Sequence, residues 1–183
     1  MPPTITTKPA TDEYAPYYRT YIGKLPEQEL LKLLSDQLEQ TCALLAAVPE
    51  TQADSAYAPG KWSIKEVAGH IGDTERIMAY RLLRIARGDV TPLPGFEQDD
   101  YVRSARFGSL ALADLIADFR LVRASTLSLL RVLDEAALGK RGVANGFLVS
   151  ARALAYIIAG HERHHAEILR NQYRLGEKAA SSS

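Results

Sequence analysis

Cysteine is almost missing from this chain. A single thiol, Cys42, among 183 residues excludes an internal disulfide and a zinc site closed by cysteines. That usage fits a reducing cytoplasm. Neither sign of charge is in surplus, because 22 Lys and Arg balance 22 Asp and Glu. A nucleic-acid binder carries a basic excess, so that class is set aside. No apolar run approaches the length of a membrane span. The start, Met1-Pro2-Pro3-Thr4, lacks the basic segment and apolar stretch of a secretory signal. Strand-like alternation and internal repeats are also lacking. Histidine is scarce, with four in all, and three of them crowd into His161, His164 and His165.

The remainder has an ordinary globular composition, 46% hydrophobic and 24% charged. The length suits one domain with a sizeable core. Residues 1–12, rich in Thr and Pro, are expected to be disordered, as is the small polar tail 178–183. Residues 13–177 are expected to form one domain. Tyr14, Tyr17, Tyr18 and Tyr21 form an aromatic strap expected to lie across a helix bundle.

Four long amphipathic segments follow. The first begins near Pro26, with Leu31, Leu34, Leu38, Thr41, Leu45 and Val48 inward, and Pro49 ends it. Ser63 followed three residues later by Glu66 is a capping box, so a second helix starts there and stops at Gly88. Its inner face carries Val67, His70, Ile71, Thr74, Ile77, Met78 and Ile85. Lys65, Asp73, Arg76, Tyr80, Arg84 and Arg87 form its polar face, and the arginines at 76, 81, 84 and 87 read as solvated. Residues 88–108 form a long connection without helical period, long enough to cross over and to cover a cavity. Ser109 is expected to cap the third helix, whose buried face includes Leu112, Leu115, Phe119, Val122, Thr126 and Leu130. Gly139, Gly142 and Gly146 break the chain before a fourth helix from Ser150 to about Gly176. The architecture is all-α, a four-helix bundle with a long crossover loop between helices 2 and 3. Cys42 reads as a buried, inert thiol in the first helix.

Leu154, Ile158, His161, His165, Ile168 and Gln172 alternate four and three apart, the core stripe of a bundle helix. His161 and His165 therefore project from one face where leucines would be expected, a spacing that suits two metal ligands. Two surface histidines share the same spacing, and it is His70 that separates the readings. Three buried imidazoles facing one cavity need polar partners, and a divalent metal supplies them. Three histidines with open positions are a pattern of catalytic zinc. His164 lies to the side of the stripe and ranks below His165 as a ligand. Asp73, one turn from His70, could orient its imidazole or pair with Arg76.

The runs Lys61-Trp62-Ser63-Ile64-Lys65-Glu66-Val67-Ala68-Gly69-His70, Arg84-Ile85-Ala86-Arg87-Gly88-Asp89, Leu93-Pro94-Gly95-Phe96 and Gly160-His161 through His164-His165 resemble the DinB-like superfamily. The similarity extends from about Tyr14 to Tyr173 and is nearest to the YfiT-like branch, which includes bacillithiol transferases. It implies an up-down-down-up bundle with a metal, nickel or zinc, on His70, His161 and His165. It also implies a homodimer in many members, and it brings no fixed catalytic acid or base. The leading functional expectation is a metal-dependent enzyme that transfers a low-molecular-weight thiol to an electrophile held under the 88–108 loop. A metal-dependent hydrolase using activated water is the first alternative. A non-catalytic, metal-binding stress-response bundle is the second. The expected partner is a small-molecule substrate, with neither nucleic acid nor membrane.

Overall fold

The computed structural model describes residues 4–176. The helices in chain order are α1 (Arg19–Gly23), α2 (Leu30–Ala46), α3 (Glu50–Ala53), α4 (Ile64–Ala86), α5 (Gln98–Ala105), α6 (Leu112–Leu130), α7 (Glu135–Leu138) and α8 (Ala151–Asn171). Strands β1 (Arg141–Ala144) and β2 (Phe147–Ser150) form an antiparallel hairpin before α8. No helix among the described residues is long and apolar enough to cross a membrane.

Helices α2, α4, α6 and α8 form a four-helix bundle, and side-chain pairs fix their directions. Glu39 on α2 accepts from Arg120 on α6, and Glu50 just beyond α2 accepts from the amide of Leu112 at the start of α6, so these two helices are antiparallel. Glu75 pairs with Arg123 at mid-helix, while Phe107, just before α6, packs on Gly69 near the start of α4; α4 and α6 therefore run parallel. Tyr173, beyond the end of α8, donates to the carbonyl of Trp62 ahead of α4, which makes that pair antiparallel. The result is up-down-down-up, and the parallel α4–α6 step requires the long crossover.

Local chemistry sets the element ends. Ser63 and Glu66 complete the expected capping box. Ser150 caps α8 by accepting from the amide of Ala153 at 2.9 Å. Helix α2 starts at Leu30 rather than near Pro26, because the Glu29 carboxylate caps it by accepting from Leu31 and Lys32.

Several expectations are corrected. Residues 4–12 are tied down at two points, with Ile5 and Pro9 buried and most of the others exposed. Ile5 is buried, its carbonyl accepts from the Leu30 amide at 2.9 Å, and Lys8 donates to the carbonyl of Leu25. Residues 1–3 and the tail 178–183 lie outside the described residues. Ser109 does not cap α6. It sits in a 3-10 turn with its hydroxyl on the Arg106 carbonyl, and the helix begins after Ala111. The 88–108 connection contains a short helix, α5, whose single buried residue is Val102. Strands do occur, because Asn145 and Gly146 both adopt positive φ, 51° and 77°, the paired conformation of a tight hairpin turn. Gln172 is exposed beyond the end of α8, so the inward stripe stops a turn early.

Two polar-face readings on α4 also fail. Lys65 is buried, with its ammonium 2.7 Å from Glu50 and 3.2 Å from Asp54, because α3 folds back over it. Arg81 is 4% exposed, covered by the crossover. Arg76 and Arg84 do lie outward, paired with Asp118 and Asp89. Cys42 is buried as expected, and that burial pushes its thiol pKa up, away from reactivity.

A buried charge cluster ties the four helices together at mid-bundle. Arg123 on α6 is fully buried. It donates to Glu75 on α4 at 2.7 and 2.8 Å, to Glu162 on α8 at 2.6 Å and to the Leu34 carbonyl on α2 at 2.7 Å. Burial alone would lower the arginine pKa, but Glu162 and Glu75 outweigh it and the net shift is upward. Nothing in the sequence pattern announces this cluster.

Candidate metal centre

Three imidazoles converge where α4 and α8 pack antiparallel. His70 comes from the second turn of α4, and His161 and His165 from adjacent turns of α8. Their exposures are 2%, 7% and 8%. Nε2 of His70 lies 3.0 Å from Nε2 of His161, and one nitrogen from each ring lies within 4.8 Å of the other two. Ligands of a tetrahedral ion at about 2.0–2.1 Å stand roughly 3.4 Å apart, so this spacing is of the right order. Nδ1 of His165 is buried without a hydrogen-bond partner. An orphaned buried nitrogen beside two other imidazoles is unfavourable in a purely structural core, and a cation there would suit the donor set.

The surroundings keep these rings neutral. Burial pushes the His70 pKa down to about 4. Burial first, and then the neighbouring imidazoles, hold His161 and His165 well below the usual histidine range. Neutral imidazole is the form that ligates a metal. The Thr74 hydroxyl, one turn on from His70, stands 3.4 Å from its Nδ1, a long contact. Trp62, ahead of the capping box, covers the rings. Its centroid is 4.6 Å from that of His70, and it stacks at 22° on His165.

The tyrosine strap lies where the sequence placed it. Helix α1 packs on α8, and Tyr21 sets its ring edge on His161 and its tilted face near His164. Gly160 permits this approach, because a Cβ there would stand 2.6 Å from the Tyr21 carbonyl oxygen. His164 is half-buried against Tyr21 and is not part of the converging set. Asp73 pairs with Arg76 at 3.5 Å and makes no hydrogen bond to His70 among the described residues. Of the five residues singled out from sequence, the structure thus gathers His70, His161 and His165 and leaves His164 and Asp73 to the side. Three further residues of the site leave fainter traces in the sequence: Tyr21 stands in the aromatic strap, Trp62 just ahead of the capping box, and Arg81 at the spacing of His70, Thr74 and Met78.

Two clefts open from the cluster. One, of about 270 Å³, is lined by His70, His161, Thr74, Arg81 and the strap tyrosines. The other, of about 280 Å³, is lined by His165, Trp62, Lys61, Tyr57 and Tyr173. Gln98 and Asp99 at the start of α5 line both. The crossover therefore walls the cavity, as its length suggested.

A four-helix bundle with parallel middle helices and a buried three-imidazole cluster open to two clefts defines a class of helical proteins built around a candidate metal centre. The chain belongs to the DinB superfamily, whose family model matches residues 16–169. In fold it is similar to YfiT from Bacillus subtilis, described as a probable metal-dependent hydrolase with an unusual four-helix bundle topology. The TM-score is 0.68 at 15% identity, over 92% of each chain. It is also similar to a mycothiol-dependent maleylpyruvate isomerase, with a TM-score of 0.65 at 17% identity over 80% of this chain, and to a histidine-to-alanine mutant of that enzyme with the same figures. The match spans 61% of the isomerase. No curated protein sequence matches the chain.

Proposed function

We propose that the chain is a metal-dependent enzyme in which His70, His161 and His165 hold a divalent cation, zinc or nickel, and that it transfers a low-molecular-weight thiol to an electrophile. The observation that carries this reading is the division of the imidazoles between two clefts, His70 and His161 in one and His165 in the other. Two clefts of similar volume suit two reactants, whereas hydrolysis needs room for one reactant and a water.

When bound, the cation would supply Lewis acidity and lower the pKa of a coordinated thiol. The chain's own residues do the rest. Burial keeps the three imidazoles unprotonated and ready to ligate. Trp62 packs on His70 and His165 and Tyr21 on His161, which limits the contact of the cluster with bulk water. Burial and the Tyr17 hydroxyl, 3.0 Å away, push the Tyr21 pKa upward, so at neutral pH its phenol stays protonated. Gln98 and Asp99 stand between the clefts and would position the reactants relative to each other. Asp73 and His164 are assigned supporting positions only.

A metal-dependent hydrolase is the second reading, favoured by the likeness to YfiT, and it uses the same three side chains. The thiol reading draws support from the isomerase, whose description names mycothiol. The deciding experiment incubates the metal-loaded chain with a panel of small thiols and a model electrophile, and in parallel with esters and amides. Loss of electrophile that requires both thiol and metal is the expected result. Thiol-independent ester or amide cleavage would transfer the assignment to the hydrolase. Metal-dependent stabilisation without any turnover would leave a binding bundle. A homodimer is retained as part of the proposal, tested by sedimentation of the metal-loaded chain.

A further inference from the structure

Arg81 stands out among the arginines of α4. Arg76 and Arg84 are outward and paired with carboxylates, and the buried Arg123 of α6 is satisfied by two. Arg81 is 4% exposed, yet its polar partners are the Pro94 carbonyl at 2.6 Å and the Met78 sulfur at 3.6 Å. Neither is an anion, and no carboxylate among the described residues pairs with it. A guanidinium has five N–H donors, so most of its capacity is unused. It lines the cleft that also holds His70 and His161, with Phe96 beneath it at 5.8 Å. Glu97 and Asp99 line the same cleft but are exposed and unpaired with Arg81.

Burying an arginine without a counter-charge is unfavourable unless a ligand supplies one. The fixed fork of the guanidinium matches the two oxygens of a carboxylate. We infer that the reactant entering on the His70–His161 side carries a carboxylate, held by Arg81 while its reactive end reaches the imidazole cluster. This deepens the thiol-transfer reading and rests on it for which end reacts, though not for what Arg81 binds. The spacing sets the ligand's length. His70, Thr74, Met78 and Arg81 follow one another along one face of α4, and all four line the cleft. Eleven residues of helix rise by ~16 Å; both side chains lean toward the N-terminus, but the longer arginine reaches back to the Met78 sulfur, leaving roughly 10–15 Å between guanidinium and imidazoles to be bridged by the ligand and its contacts at either end. A carboxylate with a chain of about six to eight heavy atoms fits that span and the 270 Å³ cavity.

The test is calorimetric binding of straight-chain C4–C8 carboxylic acids and their matched primary amides to the chain, metal-loaded and metal-free. Acids should bind more tightly than amides, with an optimum length, and Arg81→Gln should reduce acid affinity roughly ten- to hundredfold while leaving amide affinity unchanged. Arg81→Lys should recover part of the preference. Equal binding of acid and amide by the unmodified chain overturns the inference, whatever the variants do. An acid preference that persists in a folded Arg81→Gln protein also overturns it, because the carboxylate is then read elsewhere, for example by the metal. The metal-free arm keeps the two proposals apart. An acid preference there that depends on Arg81, with no thiol turnover in the loaded protein, would sink the transfer reaction and leave the carboxylate site standing.

Discussion

Arg123 holds Glu162 at 2.6 Å, and Glu162 is the residue next to His161. The two neighbours on α8 face different partners, Glu162 the buried guanidinium and His161 the His70 ring at 3.0 Å. The ion cluster therefore fixes the rotation of α8 that presents His161 and His165 to α4. Removing the cation leaves two buried carboxylates uncompensated. Arg123→Met should destabilise the chain by about 3–5 kcal/mol. Denaturant unfolding measures this, and a change below about 1 kcal/mol would show that the cluster does not hold the bundle.

Replacing His70, His161 or His165 with Ala should each abolish stoichiometric metal binding, whereas His164→Ala should retain most of it. His164 faces Tyr21 and stands outside the converging set. Elemental analysis of protein purified without a histidine tag decides the point. Equal losses at all four positions would mean that the liganding face is misassigned.

The chain's one tryptophan reports on the cluster directly. Trp62 lies 4.6 Å from His70 and 6.3 Å from His165, centroid to centroid. Titration with nickel should quench its fluorescence saturably, with an end point of one ion per chain, and zinc should displace the nickel or block the quenching. Fluorescence indifferent to nickel would place the ion elsewhere.

Acid should weaken the metal-free chain over a defined window. The folded-state pKa of His70 is about 4 because the ring is buried, below the ~6.5 of an exposed histidine. The unfolded chain thus takes up its proton first as pH falls. The stability contributed by the neutral ring is complete above pH ~6.5 and is lost progressively down to about pH 4, to the order of 3 kcal/mol for His70 alone. His161 and His165 are shifted in the same direction and add to the effect. Denaturation midpoints of metal-stripped protein at pH 7.5, 6 and 5 should fall in that order. A flat profile would contradict the burial of neutral rings.

The bundle and its histidines are legible in the sequence because each leaves a local mark. Ser63 with Glu66 announces α4, and the four-residue spacing of His161 and His165 continues an apolar stripe. The Arg123 cluster escapes such a reading although Phe119, Arg123, Leu127 and Leu130 keep core spacing. A charge in such a stripe reads as solvated until an opposite charge is seen to meet it, and Glu75 and Glu162 lie on other helices. The hairpin escapes it despite Asn145-Gly146, because the flanking strands are only four residues each. Arg81 reads as solvated because it is charged, although its position keeps the inward spacing of His70, Thr74, Met78 and Ile85. Pro94 and Phe96 of the crossover close over the cleft that it faces, and the path of that segment is what no helical periodicity records.

That crossover is stitched to the hairpin. The Leu93 amide donates to the Val143 carbonyl and the Asn145 amide to the Leu93 carbonyl, each at 2.9 Å, so a single-residue parallel bridge from Leu93 to β1 pins the loop to the hairpin. The imidazoles hang from α4 and α8, while one wall of both clefts comes from this separately braced segment. Grafting a different crossover between the same helices should therefore change which molecules are admitted while the grip on the ion stays as it was.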